Sequence, residues 1–220
     1  MDFLIKLFST DTIMATVFGY DLSYIEATAT IFTLACIILA AHANIITFAL
    51  GIISTTLYFI FFYQAHLYSS ASLQIIFLGF NIYGYYQWTR PTKEQENENR
   101  QLKVSRYATD RYIVFAGIIA IGTIVWGYLM SNPPVFLESI AKEAQQPYLD
   151  AFILVASIVA QYMIAKKKIE NWIIWIVVDI VATITYAKIN AMFTSVLYGI
   201  LILNAVYGLY LWAKMYKKNV

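Results

Sequence analysis

Long apolar runs separated by short polar stretches set the pattern of this chain. Runs long enough to cross about 30 Å of hydrocarbon at about 1.5 Å per residue cover 22–41, 44–64, 69–88, 111–130, 148–165, 171–188 and 192–213. The pattern predicts an all-α integral membrane protein with seven transmembrane helices. Ahead of them, residues 1–21 mix Asp2, Lys6 and Asp11 with apolar side chains, which predicts an amphipathic lead-in helix lying at the interface. Residues 89–110, rich in Glu, Asn, Lys and Arg, read as a solvated loop, 131–147 as a second loop and 214–220 as a short tail.

The apolar pattern carries an internal repeat. Tyr83-Gly84-Tyr85-Tyr86-Gln87-Trp88 returns 124 residues later as Tyr207-Gly208-Leu209-Tyr210-Leu211-Trp212. The same offset carries Tyr24-Ile25-Glu26 onto Tyr148-Leu149-Asp150 and Thr33 onto Ser157. Two three-helix units, 22–88 and 148–213, are therefore expected, with the span 111–130 as an unpaired linker. Two three-span units joined directly would face opposite ways. One extra crossing returns the chain to its starting side and makes the repeats parallel, a known plan for transporters that hold substrate between their halves.

Composition agrees with the pattern: 60% of the residues are hydrophobic and 13% charged. The charges also orient the bundle, because cytoplasmic loops retain Lys and Arg. One side holds Lys6, Lys142 and Lys188. The other holds Arg90, Lys93, Arg100, Lys103, Arg106, Arg111, Lys166, Lys167, Lys168, Lys214, Lys217 and Lys218. The amino end is expected outside and the carboxyl end inside.

Polar residues within the spans fall into stripes, and each such residue normally faces a partner or a wet cavity. Trp172, Trp175, Asp179, Thr183 and Tyr186 are spaced by 3, 4, 4 and 3, which keeps them on one helical face. Gln74, Asn81, Tyr85 and Trp88 share a face of the third span, and Asp150, Ser157 and Gln161 one of the fifth. Glu26 and Thr33 align in the first span as repeat counterparts. Simpler roles remain open for several: Trp88, Trp172 and Trp212 as interface anchors, Glu26 and Asp150 as residues wetted from outside, Asn81 and Asn204 as interhelical hydrogen-bond partners. Asp179 lies too deep to reach the interface, which leaves a ligand or a structural partner elsewhere in the bundle.

Enzyme chemistry finds no support. The chain has no GxxxxGK[ST] and no HExxH, and His42 and His66 lie on opposite sides of the predicted membrane. Cys36 is the single cysteine, so disulfide and zinc readings fail. No cofactor, no metal and no nucleic-acid partner is expected. The last span has no Lys before Lys214 to hold retinal as a Schiff base.

Several segments together resemble the PnuC family of vitamin transporters: Gly19-Tyr20-Asp21-Leu22-Ser23-Tyr24-Ile25-Glu26-Ala27, Leu73-Gln74, Asn81-Ile82-Tyr83-Gly84-Tyr85-Tyr86-Gln87-Trp88 and Glu170-Asn171-Trp172-Ile173-Ile174-Trp175. The resemblance covers nearly all of the chain. It implies a SWEET-like bundle of three plus one plus three helices in the bacterial inner membrane, assembled as a homotrimer. It also implies facilitated diffusion of nicotinamide riboside, trapped afterwards by phosphorylation, with thiamine and riboflavin as cargo of relatives. Nicotinamide riboside carries a flat cationic ring, an amide and a ribose. Trp172 and Trp175 are expected to stack on the ring, Asp179 to compensate its charge or take ribose hydroxyls, and Gln74, Asn81 and Asn171 to bond the amide or sugar. Tyr85, Trp88, Gln161, Tyr186, Asn204 and Tyr207 complete the expected site. Asn204 lies three residues before Tyr207 whereas Asn81 lies two before Tyr83, so the pocket is expected to be asymmetric.

Overall fold

The computed structural model describes residues 8–96, 102–141 and 146–219. The first seven residues of the expected lead-in, with Lys6, and also Arg100 and Lys142 from the charge comparison, lie outside the described residues.

The described part of the lead-in corrects the expectation of a helix. Ile13–Val17 (β1) and Tyr20–Ser23 (β2) pair antiparallel. Phe18 and Gly19, with φ of 52° and 78°, make the two-residue turn that right-twisted strands favour. Ser23 then caps the first helix, its Oγ accepting from the Glu26 amide at 3.4 Å.

The remaining long elements are helical: α1 (Tyr24–Ala41), α2 (Ile46–Gln64), α3 (Tyr68–Thr89), α4 (Thr109–Ser131), α5 (Pro147–Ala165), α6 (Glu170–Lys188) and α7 (Met192–Asn219). Six of them have both the length and the apolar composition to cross a membrane. The exception, α3, has 22 residues, but Gln74, Asn81, Gln87 and its tyrosines lower its hydropathy. Outward-facing Ile113, Ile121 and Ile124 of α4 stay largely exposed, an apolar coat suited to hydrocarbon.

Helix α2 packs between α1 and α3, and α6 packs on α5 and α7. The two sets meet along α3 with α5 and α1 with α7, while α4 lies against α5. Backbone geometry repeats between them. Ala43 and Lys167, 124 residues apart, both take left-handed conformations, with φ of 52° and 54°. His66 and Asn190, at the same offset, have φ of 60° and 61°. At the end of α1, Ala43 N donates to Ala40 O at 2.9 Å and Asn44 N to Leu39 O at 3.0 Å. At the end of α5, Lys167 N donates to Ile164 O at 2.8 Å and Lys168 N to Met163 O at 2.9 Å. These are the same helix-terminating turn written in different residues.

A buried cluster built on Phe48, Trp88, Trp172 and Trp212 fills the end of the bundle that holds these turns. Leu102 and Val104, from the strap between α3 and α4, close over it. The strap is tied by its backbone: Leu102 N to Trp88 O at 3.3 Å, Ser105 N to Lys167 O at 3.1 Å and Ile169 N to Ser105 O at 3.1 Å.

Candidate substrate-binding site

Where the two helix sets face each other they enclose a cavity of about 530 Å³. Gln146, Asp150 and Ile189 line it towards one end of the bundle; Ala40, Phe48, Ile164 and Trp172 line it towards the other.

Eight of the twelve residues expected at the site line this cavity: Trp172, Trp175, Asp179 and Tyr186 from α6, Gln161 from α5, Gln74 and Asn81 from α3, and Asn204 from α7. The other four lie elsewhere. Asn171 is buried at the start of α6, where its Nδ2 donates to Lys168 O at 2.6 Å and fixes the turn. Tyr85 and Tyr207 face outward, 53% and 46% exposed. Trp88 is fully buried behind Phe48, with ring centroids 4.8 Å apart.

The walls carry two carboxylates, Asp150 and Asp179, and no basic side chain among the described residues. Asp179 is buried, and neither its Oδ1 nor the Trp172 indole N–H has a hydrogen-bond partner. Buried polar atoms of this kind are costly unless something pairs with them. Asp150 is partly satisfied, its Oδ2 accepting from the Gln146 amide at 3.1 Å. Asn204 Nδ2 donates across the interface to Ile37 O at 3.3 Å, and Asn81 Nδ2 donates within its own helix to Phe77 O at 2.9 Å.

The repeated glycines position the aromatic wall. A Cβ at Gly208 would sit 2.6 Å from Cε2 of Trp172, and a Cβ at Gly84 would overlap the Phe48 ring. Phe48 and Trp172 are themselves 124 residues apart, so one device serves both halves. The halves differ in bulk elsewhere. The Asn81 side chain lies over Gly51, whereas the positions 124 further on are Ala205 and Trp175.

Sequence reasoning left Tyr198 and Trp126 unnamed, yet both line the cavity, and Tyr198 stacks on Tyr186 at 5.4 Å. The repeat held the signal for Tyr198, since the offset of 124 carries Gln74 onto it.

Over residues 23–214 the chain matches the family described as nicotinamide mononucleotide transporter. It is 32% identical over 210 residues to the nicotinamide riboside transporter PnuC of Escherichia coli (strain K12), covering 88% of this chain and 87% of that protein. The chain belongs to the PnuC family. A second PnuC relative, the nicotinamide riboside transporter of Neisseria mucosa, is 24% identical over 94% of this chain and 79% of its own. The riboflavin/roseoflavin transporter RibM of Streptomyces davaonensis is 30% identical over 64% of this chain and 63% of its own. The crystal structure of a vitamin B3 transporter PnuC superposes with a TM-score of 0.70, covering 90% of this chain and 83% of that one at 22% identity. The PnuC fold is thus shared, and the chain is a multi-pass membrane protein of a transporter family.

Proposed function

We propose that this chain carries nicotinamide riboside into the cytoplasm by facilitated diffusion, with later phosphorylation trapping it. One observation carries the reading: an apolar-walled cavity between two helix sets brings the Trp172 and Trp175 rings together with the buried, unpaired carboxylate of Asp179. A flat pyridinium cation satisfies both features, each stacked aromatic contributing on the order of 0.5–2 kcal/mol. Gln74, Asn81, Gln161 and Asn204 supply donors and acceptors for the amide and ribose. A phosphate would meet two carboxylates and no cation on these walls, which favours the riboside named for the relatives over the mononucleotide.

The same reading takes the bundle as two parallel three-helix units joined by α4, with the amino end outside, and the assembly as a homotrimer. The matched turns at 43 and 167 and at 66 and 190 support the repeat. Thiamine, also a flat aromatic cation, is the second reading; riboflavin is neutral and gives Asp179 no charge to balance.

Calorimetric titration of the purified protein separates these. Micromolar or tighter binding of the riboside, with much weaker binding of thiamine, riboflavin and the mononucleotide, is expected. Tight binding of thiamine without the riboside would move the chain to the second reading.

A further inference from the structure

The two repeated tryptophans make a reciprocal pair of bonds that no ligand contact explains. Trp88 Nε1 donates to Ile164 O at 3.2 Å, and Trp212 Nε1 donates to Ala40 O at 3.0 Å. Donors and acceptors alike are 124 residues apart. Each indole thus ties the last helix of one set to the first helix of the other. Resting on the transport reading above, we propose that these bonds form the latch shutting the cavity at this end, that the Trp212 side releases, and that the Trp88 side is the hinge.

The latch lies directly behind the cavity wall. Phe48 and Trp172 line the cavity, and their rings meet Trp88 and Trp212 edge-on, with centroids 4.8 and 5.6 Å apart. The two latch indoles are 6.0 Å from each other. A molecule leaving this way must part these four rings, and swinging the helix sets apart about the Trp88 side breaks the Trp212 bond to Ala40 O.

Breaking that bond leaves the helix end intact. Ala40 O also accepts from Ala43 N, and Ile164 O from Lys167 N, so each carbonyl keeps a partner within its own turn. A bond needed to finish a helix would not be duplicated in this way. What is lost is the pairing of the Trp212 indole donor, a modest cost that makes a reversible switch.

The two sides are not equally braced. On the Trp88 side the strap adds its backbone bonds to Trp88 and Lys167, and the Lys167 ammonium sits 4.0 Å over the Trp88 ring. On the Trp212 side the residue equivalent to Lys167 is Ala43, and the strap reaches α7 through side chains, with Arg106 5.3 Å over the Tyr216 ring.

Cys36 is the single cysteine and lines the cavity one helical turn from Ala40, so it reports access without engineering. In sealed vesicles of each orientation, the rate of its modification by a membrane-impermeant thiol reagent is measured for wild type, Trp212→Phe and Trp88→Phe. Phenylalanine keeps a ring and deletes the donor. From the latch side, Trp212→Phe should raise the rate about fivefold, as loss of one hydrogen bond implies, and Trp88→Phe should raise it less. An unchanged rate in both, or a larger effect from Trp88→Phe, overturns the proposal. Ser105→Pro, which deletes the strap donor to Lys167 with both indoles in place, should also raise the latch-side rate; no change there overturns the hinge assignment. Calorimetry with the riboside runs alongside: failure of wild type to bind it would sink the substrate reading, while the Cys36 rates still judge the latch.

Discussion

The Trp172 indole packs directly on the backbone of Gly208, so closely that a Cβ there would lie 2.6 Å from the ring. The glycine of the second Tyr-Gly motif therefore sets how far one cavity wall can retreat. Gly208→Ala should push Trp172 out of place, weakening riboside binding about tenfold and destabilising the protein by roughly 1–3 kcal/mol. Gly84→Ala, which displaces Phe48 instead, should destabilise it similarly and weaken binding less. Titration and thermal melting of the two variants check the order.

Asp179 gives a prediction in which affinity and stability move in opposite directions. Its carboxylate is buried with Oδ1 unpaired, and an uncompensated buried charge is destabilising until a cation arrives. Asp179→Asn should raise the melting temperature of the empty protein and lower affinity for the riboside by roughly tenfold or more. A variant that is less stable and binds normally would show that the carboxylate is paired within the bundle.

Lys167 lies in the turn between α5 and α6, outside the spans, and burial lowers its ammonium from the ordinary 10.5 to about 8. Below pH 8 folded and unfolded chains both hold the proton, and the folded state bears the full cost of burying the charge. Between about pH 8 and 10.5 only the unfolded chain keeps it, so stability from this group rises with pH. Lys167→Met should stabilise the protein at neutral pH by roughly 1–3 kcal/mol, net of the lost contact with Trp88. It should also flatten the rise in melting temperature above pH 8, which melting curves in steps of pH would show.

At the opposite end, the hairpin is fastened to the bundle through Tyr20. Its ring stacks on Phe193 at 5.4 Å and its hydroxyl donates to Glu26 Oε1 at 2.8 Å. Glu26 Oε2 has no partner, so Tyr20→Phe leaves that carboxylate without the hydroxyl. The expected loss is about 1–3 kcal/mol, and protease digestion should cut faster within residues 13–23 while the helices remain resistant.

The helices were legible because hydrocarbon-length apolar runs leave little choice, and predicted ends fall within a few residues of those of α1 through α6. The cavity-facing polar residues were legible for the same reason, since Asp179 or Gln161 within such a run needs a partner or a cavity. The hairpin was not, because Ile13–Val17 is too short for a period to register and its turn depends on Phe18 taking a positive φ. Tyr85 and Tyr207 misled for another reason: lipid and protein interior accept tyrosine alike, so a stripe names a face without saying which side it meets. Trp88 satisfied the stripe geometry but sits behind Phe48, a depth that one-dimensional spacing does not encode.

The unequal treatment of bulk in the two halves has a consequence for cargo. On one side glycine at 51 leaves room that Asn81 fills; on the other the related positions carry Trp175 and Ala205. Bulk is therefore placed differently on the two sides, with an amide filling the space beside Gly51 and an indole at the related position 175. Trading side chains among these four positions, with summed bulk held constant, can reshape the chamber for a differently shaped or uncharged ring system while the helix-ending turns and the Gly84 and Gly208 contacts stay untouched.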